Sequence, residues 1–201
     1  MDRGNTKKEI LDAALDLFSV KGFEATSLSM LAEAVGIRKA SLYSHFENKQ
    51  AILDALVDQV LTQYREHSIF SRAGREAPAL TPDAAAQMVQ GQIRYILHDP
   101  TISRARKMLV IEQFQNPELA KLLTKQNYTD VLEYFTGMIA SLIRQNILSG
   151  SDPGLMAAQF CLPISVWINL CDREPEREAE VMELVRRHIE QFFRLYQPKE
   201  R

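Results

Sequence analysis

The sequence predicts an all-α fold, and three observations lead to that prediction. Apolar residues recur at the helical spacing i, i+3, i+4 and i+7 along most of the 201 residues. We find no segment with the two-residue alternation of a half-buried strand, and no internal repeat or low-complexity tract. Gly and Pro fall between the periodic segments, where they begin or end helices. We therefore expect a small N-terminal group of three helices, followed by a bundle of about six more.

The composition is that of a globular protein with a full core, since 46% of the residues are apolar and 25% are charged. No run reaches the roughly 18 apolar residues of a membrane span. The N-terminus, MDRGNTKKE, lacks the pattern of a signal peptide. These features lead us to expect a cytoplasmic protein without a membrane partner.

The overall charge argues against a protein that coats nucleic acid without regard to sequence, because the net charge is −2 and the pI is about 6.1. The first fifty residues hold seven basic and seven acidic side chains, so a basic surface there requires a particular placement of charge. Any one basic residue alone is more typical of a solvated surface charge. The candidates for facing phosphate are Arg3, Lys7, Lys8, Arg38, Lys39 and Lys49.

The first helix is predicted over residues 7–21, after a polar segment 1–8 that could form a basic arm. Its apolar stripe is Ile10, Ala14, Leu17 and Phe18. Gly22 ends the helix as a residue that adopts left-handed backbone at little cost, and Phe23 is expected to pack back onto it.

The next stretch, TSLSMLAEAVGIRKASLYSHFENK (residues 26–49), predicts two short helices joined by a tight turn. Thr26 can cap the first of them, and Gly36 can end it. The second is predicted over residues 39–45, and Asn48 can cap the long helix that follows. The spacing alone fits both a helix-turn-helix and an ordinary corner between two helices. The apolar stripe of the first helix is Leu28, Leu31, Ala32 and Val35.

The segment SLYSHFENKQAILDAL, preceded by TSLSMLAEAVGI, closely resembles the DNA-binding signature of the tetracycline-repressor (TetR) family of bacterial transcription regulators. Its most specific part is the arrangement of Tyr43, His45, Phe46 and Lys49 before an apolar helix. The resemblance is sharp over about residues 7–57, and beyond them it concerns only the number and order of helices. It implies a helix-turn-helix DNA-binding domain at residues 1–47 and a ligand-binding and dimerisation domain at 48–201.

The resemblance also implies roles for single residues at a double-stranded DNA operator. Tyr43, His45 and Lys49 match family positions that contact and place the DNA backbone, while Lys39 and Ser41 are the best candidates for base edges. Two positions depart from the family pattern. Arg38 replaces a small capping residue, so that helix start is less well capped or Arg38 itself reads DNA, and Ala40 replaces a common Gly. The predicted DNA-binding set is Thr26, Arg38, Lys39, Ser41, Tyr43, Ser44, His45 and Lys49.

We call the predicted N-terminal domain, residues 1–47, the head. A long helix over residues 49–70 is expected to be the only mechanical link from it to the rest of the chain. The connection 71–83 holds Gly74, Pro78 and Pro82, which break helices. Further helices are predicted to about residue 98, then to 114, with a continuous helical pattern over 118–149 and a sharp turn at 149–154.

The last two helices, predicted over residues 155–171 and 176–196, are unusually apolar. The first is apolar nearly all round, with a kink expected at Pro163, so it must be covered on all sides. The pair suggests a homodimer interface, and an ordinary monomer core is the alternative. The apolar stripe of the second helix is Val181, Val185, Ile189, Phe192, Phe193 and Tyr196.

Patterns of catalytic or metal-binding residues are missing from the sequence. Its four histidines lack metal-ligand spacing, and we find no nucleophile elbow, phosphate-binding glycine loop or HExxH motif. We therefore expect no cofactor and no enzymatic activity. Cys161 and Cys171 would lie about 15 Å apart along one helix, too far for a disulfide. Buried reduced thiols are the simpler interpretation, and a redox sensor is the other.

A small-molecule effector of unknown identity completes the prediction of a ligand-responsive regulator, most typically a repressor. The alternatives are a helical protein-interaction module without sequence-specific DNA binding and a helical-bundle enzyme. The effector site is expected among side chains apolar enough for a small amphipathic or aromatic molecule. Each candidate alone also fits a plain core position. The predicted ligand-binding residues are Met88, Gln92, Tyr95, Met108, Phe114, Tyr128, Phe135 and Trp167.

Overall fold

The computed structural model describes residues 3–69 and 80–198, with side chains from residue 5 onward. The all-α prediction is confirmed: these residues form α-helices, one π-helical turn and one 3₁₀ turn, and none of them lies in a strand. The helices are α1 (Arg3–Lys21), α2 (Leu28–Val35), α3 (Lys39–Tyr43), α4 (Lys49–His67), α5 (Pro82–His98), α6 (Pro100–Glu112), α7 (Pro117–Thr124), α8 (Asp130–Arg144), α9 (Pro153–Arg173) and α10 (Glu178–Leu195).

Most helix boundaries agree with the sequence prediction to within a few residues. The predicted basic arm is an exception, because α1 begins at Arg3. The predicted end of the long helix at residue 70 and most of the connection 71–83 lie outside the described residues, and α4 ends at His67. Helix α9 continues through Pro163, where we expect a kink.

The predicted helical pattern over 118–149 is confirmed as far as Arg144, and it contains a π-helical turn, Lys125–Thr129, between α7 and α8. At its end the Asp130 N–H donates to the Lys125 carbonyl, five residues back rather than four. Such a turn accommodates one extra residue and keeps the helical direction, so the apolar period alone does not reveal it. Helix α8 then ends at Arg144, and Asn146 takes a left-handed φ of 57° before α9 begins.

The helices pack into two compact units. The first comprises residues 1–67 and 99–123, and the second comprises residues 68–98 and 124–201. Packing therefore divides the chain elsewhere than at the predicted boundary between residues 47 and 48, since α4 and α6 belong to the same unit as α1–α3. The chain passes between the units three times, and α4, the predicted mechanical link, lies wholly within the first unit.

The first unit has a core drawn from α1, α2, α3, α4 and α6. The predicted head residues Phe18, Leu31, Leu42 and Phe46 are buried, whereas Leu17 and Leu28 are half-buried. Helix α1 is covered more widely than its predicted stripe, because α6 packs along it as well as α2 and α4. A head of fewer than fifty residues thus gains the extra cover that so short a chain needs.

The second unit is built around α8, α9 and α10, with α5 packed against α10. The predicted stripe of α10 is confirmed: its five residues from Val181 to Phe193 are buried and Tyr196 is half-buried. Helix α9 buries one face in the same core, and the described residues leave its opposite face exposed. Val166 is 61% exposed and Leu155 is 57% exposed.

The 21-residue α9 also corrects the expectation that no segment is apolar enough for a membrane span, because its length and composition pass that test. A helix buried in a protein core passes the same test. Six residues of α9 are buried in the second unit, among them Phe160, Cys161 and Ile164, so the core explains part of its apolar composition.

Candidate nucleic-acid interface

The α2–α3 element has the geometry of a helix-turn-helix. Ser27 caps α2 by accepting the Met30 N–H at 3.2 Å, so the predicted capping by Thr26 is wrong by one residue. Gly36 ends α2 with φ 74° and ψ 28°, as predicted for a left-handed C-terminal residue. The Ile37 N–H then bonds to the Ala32 carbonyl at 2.9 Å, which closes the turn before α3.

The side chain of Thr26, one of the predicted DNA-binding residues, is not available for a DNA contact in this conformation. Its side chain is fully buried, and its hydroxyl donates to the Gly22 carbonyl at 2.8 Å. A threonine before an amphipathic helix is compatible with either a cap or a buried turn, and the sequence pattern does not distinguish them.

Helix α3 presents an exposed polar surface, which we call the reading face: Arg38, Lys39, Ser41 and Tyr43. Leu42 of the same helix is fully buried and fixes the helix on the first unit's core. Arg38 occupies the N-cap position without a side-chain cap bond, as its departure from the family pattern suggests. Among the described residues, neither Arg38 nor Lys39 has an ion-pair partner.

The turn after α3 carries Ser44 and His45. The Ser44 hydroxyl donates to the Ser41 carbonyl at 2.7 Å, so it must rotate away to donate to a phosphate. His45 is half-buried. Tyr43, the residue before this turn, is 50% exposed. The structure therefore brings five predicted contacts, from Lys39 to His45, onto one short segment.

Lys49 begins α4 and reaches back to the turn that follows α1. Its Nζ donates to the Phe23 carbonyl at 2.6 Å and lies 3.4 Å from the Glu24 carbonyl. The same ammonium lies 4.2 Å from the centre of the Phe23 ring, in a cation–π arrangement. Asn48 caps α4 as predicted, accepting the Ala51 N–H at 2.8 Å.

Sequence reasoning missed the part played by Glu112, the last residue of α6. Its carboxylate is 4% exposed and accepts the Phe23 N–H at 2.7 Å. The partners are 89 residues apart, so no local pattern joins them. The available signals were Gly22, which permits a close approach, and an acidic residue at the end of an otherwise amphipathic helix, where the helix dipole disfavours it.

The predicted effector residues divide between the two units. The second unit contains six of them: Met88, Gln92, Tyr95, Tyr128, Phe135 and Trp167. Phe135 is buried beside Phe160, with ring centres 5.0 Å apart, and Met88 and Trp167 pack on the same core. Tyr128 is 52% exposed on the π-helical turn.

Met108 and Phe114 belong to the first unit instead. Met108 is fully buried there, while Phe114 is 84% exposed and does not line an enclosed cavity in this structure. An open groove of about 640 Å³ occurs in the second unit, but none of the eight predicted residues lines it. Its walls are Leu80, Thr81, Pro82, Ile147, Glu190, Phe193, Arg194 and Gln197.

Gln92 is the most informative of the eight because it is a buried polar residue. Its Oε1 accepts the Ile69 N–H at 2.9 Å, two residues beyond the end of α4. Its Nε2 and the nearby Ser68 hydroxyl are buried without a hydrogen-bond partner in the described structure. A buried donor without a partner costs about 1–3 kcal/mol, so a group that accepts from it would be bound favourably.

The two cysteines lie on one helix, α9, as expected for thiols that cannot pair. Burial raises the pKa of the Cys161 thiol to about 11, so the thiol stays protonated and unreactive near neutral pH. Within the described part of the chain, no group of three His, Cys, Asp or Glu residues is placed to hold a metal ion.

In comparison with known proteins, the N-terminal region is similar to the DNA-binding region of bacterial regulators, as the sequence motif predicts. The sequence pattern of the family described as "Bacterial regulatory proteins, tetR family" matches residues 10–56. The chain is 30% identical to the class D tetracycline repressor of Escherichia coli over 89 residues, 44% of this chain and 40% of the repressor. It is 47% identical over 51 residues to IcaR, a negative regulator of the biofilm operon icaADBC in Staphylococcus aureus. That match covers 25% of this chain and 27% of IcaR.

Solved structures share the fold over nearly the whole chain. A TetR-family transcriptional regulator from Mesorhizobium loti superposes with a TM-score of 0.74 at 19% identity, covering 98% of this chain and 100% of that one. SmeT, the repressor of a multidrug efflux pump of Stenotrophomonas maltophilia, gives 0.69 at 20% identity, with coverage of 96% and 91%. At these identities the likeness concerns the fold, whereas the sequence matches span less than half of the relatives' length.

Proposed function

The chain belongs to the TetR family of bacterial regulators, and on that premise we propose that it is a transcriptional repressor released from its operator by a small molecule. The observation that carries this proposal is the reading face. It is presented by α3, which follows the Gly36 turn and is held on the core by Leu42. It offers two cations and two hydroxyls to solvent within six residues. The family match favours this proposal over the alternative, a protein-interaction module without sequence-specific DNA binding.

Helix α3 would lie in the major groove, with its N-terminal residues against base edges. Lys39 and Ser41 are the proposed base contacts because both are exposed at that end of the helix. Arg38 precedes them and is free to reach either a base or a phosphate.

Phosphate contacts would come from Tyr43 at the end of α3 and from the residues that follow it. Tyr43 and His45 can donate to phosphate oxygens, and Ser44 can do so after rotation. Lys49 has three N–H donors and directs at most two of them to backbone carbonyls, so one is left for the DNA. Its role would be double, since it holds the head together and binds a phosphate.

A symmetric homodimer through α9 and α10 would place two heads on a near-palindromic operator. The burial of the α10 stripe within the chain leaves the outer face of α9 as the main support, together with Leu195, which is 68% exposed. Half-sites would then lie about one helical turn apart, roughly 34–36 Å. We expect Val166→Glu to give monomers in sedimentation at micromolar concentration, and a wild-type protein that sediments as a monomer would contradict the dimer.

The effector would bind in the second unit at Gln92, with apolar contacts from Met88, Tyr95, Phe135 and Trp167. The free Nε2 of Gln92 favours a small, largely apolar or aromatic molecule that carries a hydrogen-bond acceptor. A ligand that competes for Gln92 would disturb its bond to Ile69 and so shift the chain just beyond α4. Such a molecule acts in the cytoplasm, where the operator lies.

Selection from a random pool of duplex DNA tests the proposed function. The protein should enrich an inverted repeat, and it should retain that duplex in preference to a scrambled one of equal length. A protein that binds no DNA, or binds both duplexes equally, would contradict sequence-specific regulation.

Reciprocal titration then tests the effector. Small molecules that raise the melting temperature are titrated against the operator complex. If a ligand weakens operator binding tenfold, about 1.4 kcal/mol, the operator must weaken ligand binding by the same factor. A ligand that binds tightly and leaves operator affinity unchanged would contradict this mechanism of release.

A further inference from the structure

A buried carboxylate in α6 lies against the turn that leads into the helix-turn-helix. Glu112 is 4% exposed and so is not part of a DNA contact surface. Charged groups are seldom buried unless they are paired or hydrogen-bonded. The hydrogen bond from the Phe23 N–H, 2.7 Å long, explains why this one is tolerated.

Both backbone polar groups of Phe23 are hydrogen-bonded to side chains of two helices. Its N–H donates to Glu112 of α6, and its carbonyl accepts from Lys49 Nζ, at the start of α4, at 2.6 Å. The Thr26 N–H also donates to that carbonyl, at 3.2 Å. One residue between α1 and α2 is therefore fixed by two helices that are distant in sequence.

Glycine at position 22 is favoured by a left-handed backbone, and α6 approaches it closely. Gly22 has φ +82°, and a Cβ added to it would lie 3.2 Å from Glu112 Oε1 and 3.5 Å from Ile111 Cγ2. The Phe23 ring packs edge-on against Phe18 of α1, with ring centres 5.4 Å apart. The backbone of residues 22–26, which we call the anchored turn, thus has little freedom beside Glu112.

We propose that Glu112 is a positioning residue for DNA binding, which acts through the Phe23 amide to set the position of α2 and α3. A hydrogen bond suits this purpose, because it depends on distance and angle, whereas apolar packing has no such directionality. The inference rests on the proposed function for its DNA readout, and it goes beyond that function by assigning a role to a residue that touches no DNA.

Two substitutions separate the hydrogen bond from the charge and the volume. Glu112→Gln keeps a side-chain oxygen that can accept the Phe23 N–H, whereas Glu112→Leu has a similar volume and no acceptor. The matched control is Arg104→Leu, which removes another contact of α6 with α1, the ion pair to Asp16, and leaves the anchored turn intact.

The experiment uses the full chain at a temperature where each variant is fully folded, with the duplex enriched from the random pool. Glu112→Leu should bind that duplex about tenfold more weakly, which corresponds to about 1.4 kcal/mol. Glu112→Gln and Arg104→Leu should stay within about threefold of wild type, or about 0.65 kcal/mol. The salt dependence of Glu112→Leu should keep the wild-type slope, because no phosphate contact is lost.

Hydrogen exchange of the Phe23 amide provides a readout without DNA. Exchange should be faster in Glu112→Leu than in wild type, and the amides of α5 should be unchanged. If wild type binds no duplex, the proposed function fails, and the amide exchange still decides whether Glu112 holds the turn.

Three results would overturn the inference: wild-type affinity in Glu112→Leu, equal losses in Glu112→Gln and Glu112→Leu, or a loss that matches the unfolded fraction. If Glu112→Leu does not fold, Glu112→Ser replaces it, because a serine hydroxyl is too short to reach Phe23. The same outcomes then apply.

Discussion

The reading face and the anchored turn belong to the same packed unit. The first exposes its polar groups to solvent, and the second buries them in hydrogen bonds. Arg38, Lys39 and Tyr43 of the reading face point into solvent. The anchored turn directs its polar groups inward, to Lys49 and Glu112. Exposed side chains can distinguish one DNA sequence from another, whereas buried contacts can only place the helix that does so. Substitutions in the reading face should therefore change the sequence preference or the phosphate contacts. Substitutions in the anchored turn should change stability or the position of α2 and α3.

The largest effect is expected from Gly22→Ala in the anchored turn. Left-handed backbone and the approach of Glu112 both oppose a Cβ there, so the free energy of unfolding should fall by about 2–4 kcal/mol. Urea denaturation measures the change.

Two glycines provide matched controls for that substitution. Gly36 has φ +74° and no atom within 4 Å of an added Cβ, so Gly36→Ala should cost only the backbone strain, about 1–2 kcal/mol. Gly91, inside α5 with no atom within 4 Å of an added Cβ, should tolerate Ala with a gain of about 0.5–1 kcal/mol. Equal losses at Gly22 and Gly36 would show that Glu112 does not restrict the turn.

Next in size is Tyr43→Ala on the rim of the reading face. Loss of a hydrogen bond to a charged phosphate should weaken binding to every duplex by about 1.5–3 kcal/mol. Tyr43→Phe keeps the ring and should show most of that loss if the phenol is the donor. Full affinity in Tyr43→Phe would assign the effect to packing of the ring, and fluorescence anisotropy with labelled duplexes distinguishes the cases.

Lys49 joins the two regions, so its substitution sharpens the comparison. Lys49→Met keeps the aliphatic stem and removes the charge, and it should flatten the salt dependence of binding by about one unit. The loss of affinity should be about tenfold for all duplexes, or about 1.4 kcal/mol. An unchanged slope would mean that Lys49 acts only on Phe23 and touches no phosphate.

The smallest effect is expected from Thr26→Val, which removes a buried hydrogen bond and nearly preserves the side-chain volume. Stability should decrease by about 0.5–1.5 kcal/mol, with operator affinity and salt slope unchanged once folding is complete. A loss of operator affinity in fully folded Thr26→Val would assign Thr26 to the DNA-binding residues, contrary to its burial.

The elements that sequence analysis predicted correctly are those fixed by local chemistry. Gly36 requires a left-handed backbone after α2, Asn48 caps α4, and the period of α10 identifies its buried face. Each of these depends on residues within a few positions of one another, so the pattern contains the answer.

The rest depends on contacts between distant residues. Thr26 and Ser27 are equally good caps until packing buries one of them. Glu112 looked like any surface carboxylate because its partner lies 89 residues away. Spacing along a helix likewise does not show that Met108 packs in the first unit, while six of the predicted ligand-binding residues lie in the second.

The roles of the two regions are tested most directly by measuring affinity for every single-base variant of the operator. Wild type, Lys39→Ala and Lys49→Met are compared side by side on the same duplexes. Lys39→Ala should lose about 1–3 kcal/mol of discrimination at one base pair and its symmetry mate, and nowhere else. Lys49→Met should give a profile parallel to that of wild type, shifted uniformly. A flattened profile for Lys49→Met beside an unchanged one for Lys39→Ala would contradict the account, because the two roles would then be reversed.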